Sequence, residues 1–77
     1  MNQRFLDYLQ GVITVISKTG IKMNFYWSSS DKSIFVELST NNIESKEVYP
    51  DNEFDYDAAR VKFTEQLHNF LVSIGVE

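Results

Sequence analysis

His68 is the only histidine in the chain, and the one side chain whose ordinary pKa lies near neutrality. Thr64 and Glu65 stand four and three residues before it, one turn away on a helix. Nucleophilic catalysis would need a hydroxyl delivered to that imidazole and a carboxylate behind it. No motif supplies that arrangement: G-x-S-x-G, a phosphate loop and H-E-x-x-H are all absent. With no cysteine there is no thiolate nucleophile, disulfide or thiolate metal site. His68 reads as a residue beside an apolar helical stripe, and the chain as a non-enzyme.

Asp51, Glu53, Asp55 and Asp57 alternate through a polar stretch and offer hard oxygen ligands. A calcium loop that began at Asp51 would need glycine at its sixth position and glutamate at its twelfth. Tyr56 and Lys62 stand there. Helix capping and a solvated acidic loop account for these four carboxylates, and neither a metal nor a cofactor is expected.

The same carboxylates belong to a larger asymmetry. Residues 37–57 hold Glu37, Glu44, Glu47, Asp51, Glu53, Asp55 and Asp57 against Lys46 alone, a charge of −6 in a chain whose net charge is −4. Residues 1–36 carry +2, and residues 58–77 are balanced. A field of this sign repels phosphate backbones and attracts basic surfaces. The expected partner is therefore a basic protein rather than a nucleic acid, with the seven acids as the candidate docking residues. A solvated edge that keeps a small protein soluble is the simpler explanation of the same residues.

The elements that position these groups follow from hydrophobic period. Phe5, Leu9, Val12, Ile13 and Ile16 recur at helical spacing, with Asp7, Gln10, Gly11, Thr14 and Ser17 on the other side. Residues 12–16 also have strand-like propensity, so a strand over 12–18 is the alternative, giving four strands and one long helix. Gly20 suits the left-handed position after a helix end. From residue 21 the period becomes two: Ile21, Met23, Phe25 and Trp27 alternate with polar residues, then Ile34, Val36 and Leu38 do the same after a serine-rich turn. A weaker strand runs from Glu44 to Tyr49 and stops at Pro50. Asp55 or Asp57 caps a last helix, whose stripe is Ala59, Phe63, Leu67, Phe70, Leu71 and Ile74, closed by Gly75.

The sum is a single α+β domain of order α-β-β-β-α, a three-stranded antiparallel meander with two helices on one face. Seventy-seven residues allow one core, and a chain of this size buries only about 60–65% of its unfolded surface. Packing both helices on Met23, Phe25, Trp27, Ile34, Val36 and Leu38 leaves Tyr26 and Phe35 on the opposite, open face. They are candidate anchors for a partner, or for a second copy in a homodimer. No apolar run is long enough to span a bilayer, which takes about 20 residues, and MNQRFLDYLQ lacks the pattern of a signal peptide. A cytoplasmic protein is expected.

The element order resembles that of the double-stranded-RNA-binding domain, whose second helix opens with phosphate-binding lysines. Here that stretch reads Asp55-Tyr56-Asp57-Ala58-Ala59, the wrong sign for phosphate. In size and charge the chain is similar to phage anti-defence proteins, anti-CRISPR proteins among them, and to immunity proteins against nuclease toxins. That likeness implies an acidic inhibitor or adaptor that blocks a basic, nucleic-acid-handling protein.

Overall fold

The computed structural model describes residues 2–75, so Glu77, counted in the C-terminal charge balance, lies outside the described residues. The chain forms α1 (Gln3–Ile16), a short 3-10 turn (Ser17–Thr19), β1 (Lys22–Ser28), β2 (Ser33–Ser39), β3 (Glu44–Pro50) and α2 (Tyr56–Ser73). The strands make an antiparallel meander in the order β1-β2-β3. This is the α+β architecture that the periodicities predict.

Residues 12–16 are helical, and residues 17–19 continue as the 3-10 turn. The strand alternative is thus not what the chain forms. Helical spacing lets Phe5, Leu9 and Ile16 face the sheet together, and all three are buried. That burial outweighs the propensity of the β-branched run, since each large apolar side chain contributes about 1.5–3 kcal/mol. The Asn2 side chain accepts from the Phe5 amide at 2.9 Å and caps α1. Gly20 takes φ +84° beyond its end, a conformation that residues with a Cβ rarely adopt.

Ile34, Val36 and Leu38 on β2 are completely buried and form the centre of the core. In register beside them on β1 lie Trp27, Phe25 and Met23. Phe5, Leu9 and Ile16 of α1 and Ala59, Phe63 and Phe70 of α2 close over the same residues. Asp55 rather than Asp57 caps α2: its Oδ1 accepts from the amides of Asp57 at 3.0 Å and Ala58 at 3.2 Å. A cap of this kind contributes about 1 kcal/mol.

On β3 the helix-facing residues are Ser45, Glu47 and Tyr49, placed opposite Leu38, Val36 and Ile34. Of these three only Tyr49 is buried. The polar character of this strand is matched by Gln66 of α2, a buried glutamine within the helix's apolar stripe. Tyr49 donates its hydroxyl proton to Gln66 Oε1 at 2.9 Å. Gln66 Nε2 donates to the Val36 carbonyl at 3.1 Å and to Ser45 Oγ at 3.4 Å. Burial, followed by the nearby Glu47 charge, pushes the Tyr49 phenol well above its ordinary range.

Candidate functional site

The face of the sheet turned away from both helices is built by the alternate residues of three strands. In register they form four rows. Lys22, Ser39 and Glu44 make the first; Asn24, Glu37 and Lys46 the second; Tyr26, Phe35 and Val48 the third; Ser28, Ser33 and Pro50 the fourth. The pleat forces this arrangement, because the core claims the other parity on every strand.

The third row is the apolar centre of the face. The Tyr26 and Phe35 rings stack in parallel, 4° between planes and 5.3 Å between centroids. Tyr26 is 39% exposed and Val48 37%, both exposed for residues of their size. Lys46 leans over this row, its Nζ 5.1 Å from the Phe35 centroid and 3.6 Å from a Glu37 carboxylate oxygen. Hydrogen bonding and attraction to Tyr26 raise the Lys46 pKa above its ordinary value, with Glu37 adding to the rise against a lowering by desolvation. Lys22 and Lys46 balance Glu37 and Glu44, so the face as a whole is neutral.

The acidic run does not form one surface. Glu37 and Glu44 lie on the open face, and Glu47 points to the helix side of the edge strand β3. Glu47 lies 4.0 Å from Lys62, whose Nζ also donates to the Val48 carbonyl. Asp51 and Glu53 sit in the β3–α2 connection, Glu53 with a left-handed φ of +53°. Asp55 and Asp57 begin α2. Cations interleave with these acids: the Arg4 guanidinium lies 3.9 Å over Tyr56, and that of Arg60 lies 4.9 Å over Tyr8. Contiguity in sequence puts seven acids in one stretch; the fold spreads them over a sheet face, a strand edge, a loop and a helix end.

Beside the loop is an open groove of about 250 Å³. Tyr49, Pro50, Phe54, Ala58 and Ala59 line it, with Glu53, Asp55 and Lys62 among its polar members. His68 is exposed on α2, on the surface of the helix rather than in this groove. No group of three or more potential metal ligands occurs among the described residues. No helix among them is long and apolar enough to cross a membrane.

Three features escape a reading of the sequence: Val48 as the third member of the apolar row, Lys46 as its cationic cover, and the cancellation of charge across the face. All three depend on the register of β3 against β2. The parity of Val48 with Phe35 becomes visible only when Tyr49 is recognised as a core residue. No family model, no curated protein and no solved structure matches this chain.

Proposed function

We propose that this chain is a non-enzymatic protein-binding module whose docking surface is the open face of its sheet. The observation that carries this reading is the apolar row of Tyr26, Phe35 and Val48, in which Tyr26 and Val48 are exposed and Phe35 is half-buried. Aromatic side chains supply much of the energy of protein interfaces. The two rings already hold a stacked geometry, so little rotamer freedom remains to be lost on docking. Asn24, Glu37, Lys46 and Ser28 surround the row with polar groups, the anatomy of an interface with an apolar centre and a polar rim.

The groove beside the β3–α2 loop favours a second reading. Its apolar lining and the Glu53 and Asp55 carboxylates suit a lysine or arginine side chain of a basic protein. An acidic inhibitor or adaptor of a nucleic-acid-handling protein, in the manner of anti-CRISPR or toxin-immunity proteins, would dock this way. The interleaved Arg4, Arg60 and Lys62 weaken that field, which is why the open face takes precedence.

Affinity capture from nuclease-treated lysate separates the two. The immobilised baits are the wild type, a Tyr26→Ser/Phe35→Ser variant and a Glu53→Lys variant, each shown to be folded by circular dichroism. Proteins retained by the wild type should fall at least about tenfold on the aromatic variant and persist on the charge variant. The reverse pattern would transfer the assignment to the acidic groove. Equal retention on all three baits would remove both surfaces from consideration.

A further inference from the structure

The open face is complementary to itself. We propose that its occupant is a second copy of this chain, related by a two-fold axis that runs parallel to β2 between two facing sheets; the inference rests on the open-face reading above.

The geometry follows from symmetry. A two-fold along the strand direction preserves each row and exchanges the two edges of the sheet. It therefore lays β1 of one copy over β3 of the other, and β2 over β2. In the third row Tyr26 meets the partner's Val48 and Phe35 meets the partner's Phe35. In the first row Lys22 meets the partner's Glu44, and Glu44 the partner's Lys22. Edge charges of opposite sign at one level thus become two symmetric ion pairs. In the second row Asn24 faces the partner's Lys46. The two Glu37 carboxylates approach the axis, each beside its own Lys46 and diagonal to the partner's. The rows themselves are fixed by the strand register. A two-fold across the strands through the aromatic row would set Lys46 over the partner's Pro50 and leave Lys22 and Glu44 apart, so charge selects the first arrangement. Facing sheets of this kind pack about 10 Å apart with strands aligned within about 30°.

The size of the face sets the strength. Three seven-residue strands, about 4.8 Å apart and rising about 3.3 Å per residue, give a footprint of about 14 by 23 Å. That is about 320 Å² per copy, less than half of the roughly 800 Å² per partner of a standard interface, so the dimer is a weak, transient one that forms only at high micromolar concentration or above. An exposed ion pair is a small contributor, but each dimer holds two, and reversing one partner turns both to repulsion.

Sedimentation equilibrium at low salt tests this with two single variants, Lys22→Glu and Glu44→Lys. Wild type should pass from monomer to dimer with concentration. Each variant alone should dimerise about tenfold more weakly. An equimolar mixture of the two should recover wild-type association. In that heterodimer one copy is acidic at both positions and the other basic at both, so opposite charges meet at each of the two edge contacts. A wild type that stays monomeric throughout, or a mixture no stronger than its components, would overturn the second copy as occupant. If the wild type is monomeric while Tyr26→Ser/Phe35→Ser abolishes capture of another protein, the open-face reading stands and only the self-association falls. If the Tyr26→Ser/Phe35→Ser variant dimerises as the wild type does, the self-association uses another surface and this inference falls, while the capture comparison still decides the open-face reading.

Discussion

Phe5→Ala removes a large share of the chain's stability. Phe5 has no exposed surface, and four aromatic rings surround it. Their centroids lie at 5.2 Å for Tyr49, 5.4 Å for Phe54, 6.1 Å for Tyr8 and 6.5 Å for Tyr56. These neighbours come from α1 itself, from β3, from the β3–α2 loop and from the start of α2. A single ring therefore joins the two helices to the edge of the sheet. Truncating a buried phenylalanine costs about 3–5 kcal/mol, because rigid neighbours cannot fill the void. A domain of 77 residues has a total stability of about 4–12 kcal/mol. The expected urea midpoint falls by about 2–4 M. Val15→Ala, at an exposed position on the same helix, should change stability by less than about 0.5 kcal/mol. A loss below about 1.5 kcal/mol for Phe5→Ala would show that this cluster is not a centre of the core.

Gln66→Ala is the second large effect, and its cause is polar. The substitution leaves the buried Tyr49 hydroxyl without its acceptor and removes the side-chain donor from the Val36 carbonyl. A buried polar group stripped of its partner costs about 1–3 kcal/mol, so about 3 kcal/mol is expected in total. Tyr49→Phe strips Gln66 Oε1 in the same way. Removing both partners should cost less than the sum of the singles, with a coupling of about 1–2 kcal/mol in a Tyr49→Phe/Gln66→Met cycle followed by urea unfolding. Strict additivity would mean that the hydrogen bond at 2.9 Å contributes nothing. The raised Tyr49 pKa carries a matching sign: its folded value lies above the unfolded value near 10. The stability it supplies is fully present below that unfolded pKa, and is lost as pH rises toward the folded value.

The same two residues mark the boundary of what the sequence makes legible. Phe5, Leu9, Ile16, Phe63 and Phe70 announce themselves by spacing, because one helix face must be apolar if it meets a sheet. Ile34, Val36 and Leu38 do so by alternation. Gln66 occupies a stripe position between Phe63 and Phe70, yet its polarity argues for solvent until the polar inner side of β3 is known. Tyr49 reads as the end of a weak strand, although the fold buries it. Both residues are hidden for one reason: pattern reports what an element buries on average, whereas a buried hydrogen bond depends on a partner far along the chain.

The candidate site divides along the same line. Parity alone places Tyr26 and Phe35 on the open face, and the fold puts them there, stacked. Only proximity along the chain groups the seven acids, and it is a weaker guide. A strand sends neighbours to opposite faces, and a capping residue such as Asp55 has its oxygen engaged by backbone amides. Charge density per segment therefore overstates charge density per surface.

The most direct measurement of whether the open face docks a second copy of the chain is a dilution series followed by backbone and side-chain NMR, from about 1 mM down to about 20 μM. Shifts that move with concentration at Lys22, Tyr26, Phe35, Glu44, Lys46 and Val48, and that stay fixed on the outer surfaces of both helices, are the predicted result. Concentration-dependent shifts confined to the helices or to the Glu53–Asp55 groove, with the Tyr26–Phe35–Val48 row invariant, would contradict it.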